Sequence, residues 1–365
     1  MKNIVLVFGG NSVEHDISIL TALTFSKNYM GDNRLCSLYI SKSGEWFFTP
    51  KKLSKDMFYP SLSSDFMPVK LFTNDKNLYV KTLLGYKKVF EIDVAINCCH
   101  GGAGERGELN YLFERSNIAF SSGSSLGLAM AMDKSVAKEI FRANNIPTAP
   151  WLTFTNDNQM VDIVQRVEEF GYPVVVKPNS LGSSIGVEKV ENAAGLVKAL
   201  KVAFEFDRKV IVEKAILQTR EFNEACINSS KECVLSMIDE PVKNEKLFSF
   251  ADKYLSKKET SKTKTKSKFV QADISEKLQK SIRDLTKKAV KVLDLYGVIR
   301  VDFLYDSKKG KLFVNEVNAV PGSLAYFLFK GMTHTKMIEK LVCIAEEEQA
   351  LKVKIKTEYI TEVLK

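Results

Sequence analysis

Four polar side chains near the C-terminal end of the chain have the types and spacing of a site for a hard cation. They lie in two segments of alternating apolar and polar residues on either side of a polar turn at residues 306–310. This alternation predicts an antiparallel β-hairpin whose polar positions project from one face. Mg²⁺ is usually bound by one or two carboxylates and substrate phosphates, and an arginine beside it would face developing negative charge. The four side chains are those of Arg300, Asp302, Glu316 and Asn318.

The pattern leaves two interpretations of this hairpin open. If the turn is centred near Lys308, Asp302 lies opposite Val314 and Arg300 lies opposite Glu316. The polar face is then either a magnesium site or a solvated surface on which Arg300 pairs with Glu316. Unpaired buried charge is costly, so this face is not expected in the core.

A second segment, residues 177–186, is rich in glycine and serine and begins with Lys177. It lies between the apolar residues 173–176 and 185–190, an order that predicts strand, loop and strand. A Walker-type loop or a dinucleotide fingerprint needs a helix directly after its glycines, because the helix N-terminus binds the phosphate. No such helix is predicted here. The loop is therefore either a tight hairpin or a lid that folds over a triphosphate.

Seven segments of the chain resemble those of the D-alanine:D-alanine ligases of the ATP-grasp superfamily, in the same order and over essentially the whole length. One such match would be weak, whereas seven in order are specific. The resemblance implies an α/β fold (with α+β elements) in a three-domain ATP-grasp architecture. The segments are GGNSVEHDIS at 9–18, HGGAGE at 100–105, MDK at 132–134, KPNSLGSSIG at 177–186, EK at 213–214, DKY at 252–254 and residues 300–323, which end in PGS.

The resemblance also implies a domain organisation. Residues 1–121, in which strand and helix signals alternate, correspond to an open α/β N-terminal domain that precedes the ATP-grasp part. Residues 122–212 correspond to the central lid domain with the glycine-rich loop. Residues 213–365 correspond to the C-terminal ATP-grasp domain, with the magnesium site, a flap at 250–269 and a helical tail from about residue 337.

Composition agrees with this assignment. A chain of 365 residues with 45% apolar residues can build two or three α/β domains. No run approaches the ~20 apolar residues of a membrane helix, and the apolar residues 4–8 are too few for a secretory signal. We therefore expect a cytoplasmic protein with no membrane partner. The six cysteines include no Cys-x-x-Cys pair and are expected to be reduced, and three histidines argue against a zinc site.

The net charge of +9 could indicate nucleic-acid binding. However, 6 of the 13 residues from 256 to 268 are lysines, and this segment has no interleaved aromatic residues for base stacking. We expect a solvated surface loop or, in a ligase, part of a flap near polyphosphate, and no nucleic-acid partner. Family members are commonly homodimers, so the resemblance implies a homodimer.

The resemblance implies the residues that bind ATP and metal. Lys134 and Lys177 correspond to the two phosphate-binding lysines. Asp302, Glu316 and Asn318 correspond to ligands of Mg²⁺, with two ions expected and Mn²⁺ as an alternative. The full nucleotide-binding set comprises Lys134, Lys177, Ser184, Glu213, Lys214, Ile216, Glu221 and Lys253.

The resemblance likewise implies the substrate site. Glu14 corresponds to the residue that binds the ammonium group of the first D-alanine, hydrogen-bonded with Ser183 and Tyr254, although the segment 11–14 also fits a helix N-cap followed by an acidic residue. Arg300 corresponds to the guanidinium that stabilises the acyl-transfer transition state. His100 is implied near the carboxylate of the first substrate, and Gly322 and Ser323 are implied near that of the second.

Three positions depart from the family pattern, and other functions remain as alternatives. Arg106 replaces an aspartate, the Thr-Ser stretch after residue 322 is replaced by Ser-Leu-Ala-Tyr, and the flap lacks its usual Pro-Ala. One alternative is a sibling ligase with D-serine, D-lactate or another acceptor, although Tyr254 argues against the lactate type. Another is an oxidoreductase built on residues 9–10, but after the second strand the chain has Ser41 and Lys42 where a dinucleotide site needs an acidic residue.

Overall fold

A computed structural model of the chain describes residues 1–241 and 271–354. The predicted flap, with Lys253 and Tyr254, and the last residues of the predicted tail lie outside these ranges. The boundaries proposed for the three domains stay a prediction. The helices described are α1 (His15–Asn28), α2 (Gly102–Glu105), α3 (Glu108–Arg115), α4 (Ser125–Met132), α5 (Lys134–Ala143), α6 (Met160–Phe170), α7 (Ala193–Phe206), α8 (Glu276–Val292) and α9 (His334–Val353).

The first sheet has a parallel part and an antiparallel part. Its strands are β1 (Asn3–Gly9), β2 (Arg34–Ile40), β3 (Trp46–Thr49), β4 (Met67–Leu71), β5 (Asn77–Thr82), β6 (Gly85–Glu91), β7 (Val94–Asn97) and β8 (Ala119–Phe120). Their order in the sheet is β6-β5-β4-β3-β2-β1-β7-β8. β1 pairs in parallel with β2 and β7, and β7 with β8, whereas β2 to β6 form an antiparallel meander.

Strand β1 is buried on both faces, as its unbroken apolar run requires. Ile4 and Leu6 belong to one core cluster with Met337 of α9, whereas Val5 belongs to a second cluster with Phe113 of α3. The C-terminal helix α9 therefore packs on the sheet formed by the N-terminal part of the chain.

The second sheet has the order β11-β10-β12-β9, with antiparallel pairs throughout. Its strands are β9 (Trp151–Thr155), β10 (Val174–Pro178), β11 (Glu188–Val190) and β12 (Lys209–Lys214). Apolar residues of α6 and α7 share its core. The glycine-rich loop joins β10 to β11, so the predicted order of strand, loop and strand is confirmed, and no helix opens directly after the glycines.

The third sheet carries the predicted polar hairpin. It has the order β14-β13-β15-β16, all antiparallel, and α8 packs against it. Its strands are β13 (Thr219–Asn228), β14 (Cys233–Asp239), β15 (Gly297–Asp306) and β16 (Lys311–Asn318).

The predicted register of this hairpin is wrong. Asp302 lies opposite Glu316 and Arg300 lies opposite Asn318, because the pairing shifts by one residue between Asp302 and Phe303. Phe303 pairs with Val314, which leaves Asn315 as the extra residue of a β-bulge. The centre of the turn also lies half a residue beyond Lys308, since Asp306 pairs with Lys311. The two shifts together preserve the predicted common face of the four polar side chains.

Candidate active site

One cavity of about 60 Å³ is lined by residues of the polar hairpin, of helices, and of loops that follow strands of the first and second sheets. Residues that line it include Glu14, His100, Lys134, Ser183, Arg300 and Glu316. A larger cavity of about 370 Å³, beside β14 and α8, is lined by none of the predicted site residues. The smaller cavity is therefore the candidate site.

Glu14 occupies the position just before helix α1, and its carboxylate makes no capping hydrogen bond. The side chain of Glu14 therefore does not cap the helix, although the hydroxyl oxygen of Ser12 accepts the backbone N–H of Glu14 at 3.0 Å. Its side chain is buried, and Oε1 accepts a hydrogen bond from the hydroxyl of Ser183 in the glycine-rich loop. A Cβ added at Gly182 or Gly101 would lie 3.0 Å from Oε2 of Glu14, so both glycines leave room for this carboxylate. The hydrogen bond that the sequence analysis expected between Glu14 and Ser183 is present.

His100 is buried between helix α1 and the segment after β16. Its Nδ1 lies 2.9 Å from the carbonyl oxygen of Val320, and its Nε2 lies 2.9 Å from the hydroxyl oxygen of Thr21. Burial lowers the pKa of His100 to about 4, with Arg300 contributing in the same direction. The imidazole is therefore neutral near pH 7 and cannot act there as a cation for a substrate carboxylate.

Glu105 is a site residue that the sequence reasoning missed. It lines the cavity, and its Oε2 accepts the backbone N–H of Gly101 at 2.9 Å. Burial, and then the nearby carboxylate of Glu14, raise the pKa of Glu105 to about 7. Its position inside the HGGAGE segment was the available signal. The neighbouring departure, Arg106, pairs with Glu108 at 2.8 Å on the exposed side and does not line the cavity.

The two predicted phosphate lysines lie at the base of the glycine-rich loop. Nζ of Lys134 donates to the carbonyl oxygen of Leu181 at 2.5 Å and lies 3.8 Å from Oε2 of Glu316. Nζ of Lys177 donates to Glu213 at 2.6 Å and to the bulged Asn315 at 3.2 Å. The bulge that changed the register thus joins the polar hairpin to one of the lysines.

Glu213 is held between two ammonium groups. Its Oε1 lies 3.0 Å from Nζ of Lys138, which is itself 1% exposed, and its Oε2 binds Lys177. Burial alone would raise the pKa of Glu213, but Lys138 and Lys177 together outweigh it and lower the pKa to about 2. Lys138 was not predicted, although it follows Lys134 by one helical turn.

The remaining residues predicted to bind the nucleotide lie on strands β12 and β13 or in the loops that follow β10 and β12. Glu221 on β13 lies near enough to Lys177 to help raise the pKa of that lysine against the effect of burial. The side chain of Lys214 donates to the carbonyl oxygens of Phe170 and Gly171, at 3.3 and 2.7 Å. The backbone N–H of Lys214 donates to the carbonyl oxygen of Pro150 at 2.9 Å. The residues Ser184 and Ile216 lie in the loops that follow β10 and β12.

The polar hairpin presents hard oxygen ligands beside a guanidinium group. Nε and Nη2 of Arg300 donate to the two oxygens of Asp302 at 2.6 and 2.8 Å. Nδ2 of Asn318 donates to Oδ2 of Asp302 at 3.0 Å, which turns the amide oxygen of Asn318 outwards from that contact. Arg300 therefore pairs with Asp302, where one interpretation expected Glu316. Among the described residues there is no group of three or more His, Cys, Asp and Glu side chains that could hold a metal.

Gly322 lines the cavity, and Ser323 follows it in a strained turn. Ser323, Leu324 and Ala325 are all left-handed, with φ of 51°, 49° and 45°. The backbone N–H of Ser323 donates to the hydroxyl oxygen of Thr21 at 3.2 Å. Non-glycine residues adopt this conformation at a cost of roughly 1–3 kcal/mol each, and such strain is common at functional sites.

Two family models match almost the whole chain. The model described as the D-ala D-ala ligase N-terminus matches residues 3–123, and that described as the D-ala D-ala ligase C-terminus matches residues 140–343. The chain belongs to the D-alanine–D-alanine ligase family. It is an ATP-dependent ligase, and the oxidoreductase alternative is wrong.

Individual relatives agree with this membership. The chain is 36% identical to the D-alanine–D-alanine ligase of Thermosipho africanus, over 95% of this chain and 94% of the relative. It is 30% identical to that of Lactococcus lactis subsp. cremoris, over 95% and 96%.

Solved structures confirm the α/β ATP-grasp fold. The D-alanine–D-alanine ligase of Coxiella burnetii matches with a TM-score of 0.81 at 22% identity, over 97% of this chain and 96% of that one. The VanG D-Ala:D-Ser ligase of Enterococcus faecalis matches with a TM-score of 0.77 at 26% identity, over 94% and 99%. No helix among the described residues of this ligase is long and apolar enough to cross a membrane.

Proposed function

We propose that this ligase joins two D-alanine molecules through a D-alanyl phosphate, in peptidoglycan precursor synthesis. The observation that carries the proposal is the contact between Ser183 and the buried carboxylate of Glu14. A carboxylate in a water-poor cavity is the natural partner of a substrate ammonium group. The contact also links the loop that would cover ATP to the residue that would bind the first amino acid.

The first step is transfer of the γ-phosphoryl group to the carboxylate oxygen of the first D-alanine, with release of ADP. Such transfers depend on positioning and on neutralising charge. Lys134 and Lys177 would bind the phosphates, and Ser184 would cover them with backbone and hydroxyl groups. The adenine would contact Glu213, Lys214 and Ile216. Glu221 would bind the ribose, and the support for this role is that Glu221 lies near Lys177.

Asp302, Glu316 and Asn318 fit a magnesium site, because two carboxylates and an amide oxygen are hard donors on one face of the hairpin. Two Mg²⁺ ions are proposed there, with Mn²⁺ as a possible replacement. When bound, the metal would neutralise charge on the phosphates. Arg300 is fixed by Asp302 and would face the oxyanion that forms as the second amino group attacks the acyl phosphate.

The acceptor D-alanine would bind beside the turn at residues 321–325. Its amino nitrogen forms the new peptide bond with the acyl carbon, and phosphate leaves. Gly322 and Ser323 are proposed near its carboxylate, while neutral His100 would position this region without adding charge. Tyr254 and Lys253 lie outside the described residues, so their proposed roles, closing on Glu14 and binding phosphate, rest on the family resemblance.

A sibling ligase that uses D-serine as acceptor is the second candidate function. The observation in its favour is the turn itself, where Ser323, Leu324 and Ala325 replace the usual Thr-Ser stretch. A different lining at the acceptor end could admit a different side chain. We further propose a cytoplasmic homodimer without membrane or nucleic-acid partners, for which the support is the family resemblance.

The test is to incubate the purified protein with ATP, Mg²⁺ and single or paired D-amino and D-hydroxy acids. We expect D-alanine alone to release phosphate and to yield the dipeptide, as identified by mass. Phosphate release only when D-serine or a D-hydroxy acid is present would replace the leading proposal by the sibling. Ser183→Ala should lower kcat/KM for D-alanine about tenfold, since Glu14 loses a hydrogen-bond donor.

A further inference from the structure

Thr21 lies where helix α1 meets the turn at residues 321–325. It follows Glu14 by seven residues, or two helical turns, so the two side chains project near the same face. The residue is 1% exposed. Its Oγ1 lies 2.9 Å from Nε2 of His100 and 3.2 Å from the backbone nitrogen of Ser323. No motif in the sequence marks this threonine.

In a neutral imidazole, one arrangement of protons satisfies these contacts. The carbonyl oxygen of Val320 can only accept, so Nδ1 of His100 carries the ring proton and donates to it. Nε2 then accepts from the hydroxyl of Thr21, whose oxygen accepts the backbone N–H of Ser323. The burial of His100 keeps the ring neutral, as this relay requires.

The relay holds a turn that would otherwise be unfavourable. Ser323, Leu324 and Ala325 are left-handed, and such backbone persists where the surroundings determine it. Leu324 and Ala325 are buried, and the N–H of Leu324 donates to the carbonyl oxygen of Pro321 at 2.8 Å. Thr21 and His100 bind the backbone at positions 323 and 320 and so secure the start of the strained segment.

We propose that Thr21 is a positioning residue for the acceptor substrate. Its hydroxyl fixes the turn against α1 and so sets the separation between Glu14, at the donor's ammonium group, and Gly322 and Ser323, at the acceptor's carboxylate. Thr21 acts through the turn and through His100. The inference rests on the proposed function, since that assigns the two ends of the cavity to the two substrates.

Thr21→Val keeps the shape of the side chain and removes the hydroxyl. We expect the Michaelis constant for the second D-alanine to rise about tenfold or more, because Ser323 and His100 both lose a buried hydrogen-bond partner. The constant for ATP should change by less than about twofold, since Lys134 and Lys177 are untouched. Equal rises in both constants, or an unchanged acceptor constant, would overturn the proposal.

Two variants serve as controls. Thr21→Ser retains the hydroxyl and should return the acceptor constant to within about threefold of the wild type. Thr24→Val makes the same substitution one turn further along α1, where the hydroxyl donates to the carbonyl oxygen of Leu20 in its own helix at 2.8 Å. It should leave the constants for ATP and for both D-alanine molecules unchanged. A rise in the acceptor constant in Thr24→Val equal to that in Thr21→Val would contradict a specific role for Thr21.

Backbone hydrogen exchange tests the inference without requiring ligation. The amide of Ser323 should exchange slowly in the wild type and in Thr21→Ser, and roughly tenfold or more faster in Thr21→Val. If D-alanine is not ligated but this exchange pattern is found, the proposed function is wrong, whereas the role of Thr21 in fixing the turn is supported. If ligation occurs but Ser323 exchanges equally in all three proteins, the inference on Thr21 fails alone.

Discussion

Single ionisable groups in this site differ in charge because their surroundings differ. Burial leaves His100 neutral near pH 7 and brings Glu105 close to its midpoint, with pKa values of about 4 and about 7. Glu213 is equally buried but remains ionised, because two lysines outweigh the effect of burial and lower its pKa to about 2. A charged partner, more than depth, therefore decides which carboxylate stays ionised.

The first prediction concerns acid stability. His100 has a pKa of about 4 in the fold and about 6.5 when unfolded, so the unfolded chain binds more protons between these values. Stability is present above about pH 6.5 and is lost as the pH falls towards 4. The free energy of unfolding should fall between pH 7 and pH 5 in both proteins. We expect this fall to be about 2 kcal/mol smaller in His100→Gln than in the wild type. Urea denaturation at both pH values measures this difference, and identical losses would refute it.

The second prediction concerns the polar hairpin. Asp302→Asn and Glu316→Gln each replace a charged oxygen ligand by a neutral one, so we expect kcat to fall about a hundredfold or more while the fold is retained. Glu188→Gln, an exposed carboxylate on β11, is the matched control and should keep full activity. Turnover and its magnesium dependence are the measurements. Unchanged magnesium dependence in both hairpin variants would mean that the polar face of the hairpin is a solvated surface and not a magnesium site.

At the scale of elements, patterns with a strong period were predictable. The strands predicted on either side of the glycine-rich loop and of the polar turn match the structure within a few residues, because their apolar or alternating residues indicate strands. Strands β3 to β6 were not predicted, since their alternation is short and their outer positions are exposed. The bulge at Asn315 could not be predicted either, because its register depends on the contact with Lys177 across the site.

The site followed the same division. The motifs indicated Glu14, Ser183 and the two lysines predicted to bind phosphate, but they did not indicate residues that support these side chains from neighbouring positions. Thr21 and Lys138 are buried residues of helices, and the spacing of apolar residues around them is the usual one for a helix that packs on a core. Their partners are distant in the sequence, so only the packing of helices on strands reveals them.

The third prediction concerns the bridge from helix α5 to strand β12. Lys138→Met removes one of the two ammonium groups around Glu213 and leaves Thr148 without the donor that lies 2.6 Å away. We expect a loss of about 3–5 kcal/mol in the free energy of unfolding and a rise of about tenfold in the Michaelis constant for ATP. Lys138→Arg keeps the charge, so it should lose less free energy of unfolding and should raise the Michaelis constant for ATP by less. Equal losses in the two variants would mean that packing, and not charge, matters here.

At the scale of the whole molecule, the three sheets differ in how they are joined. Helix α9 follows the third sheet and packs on the first, where Lys2 pairs with Glu346 at 2.5 Å. The loop of the second sheet contacts the other parts of the site through hydrogen bonds, which include those from Ser183 to Glu14 and from Lys134 to Leu181. We infer that the first and third sheets form a frame and that the loop of the second sheet moves to admit ATP.

The last prediction tests that motion. Ser183 and Ser184 are left-handed, with φ of 53° and 58°, and Lys134 donates to a carbonyl group that phosphate would have to replace. Because the bound triphosphate would form new contacts with this loop, we expect amide exchange at residues 179–187 to slow about tenfold or more with a non-hydrolysable ATP analogue, Mg²⁺ and D-alanine.

Helix α7 is the internal control, since it shares the core of the same sheet and contributes no predicted ligand. Its exchange should change much less than that of the loop. In Ser183→Ala the slowing should be smaller, because closure would lack the hydrogen bond to Glu14. Equal slowing in the loop and in α7 would show that the whole sheet stiffens as one body, and equal exchange with and without ligands would show that the loop is already closed before ATP binds.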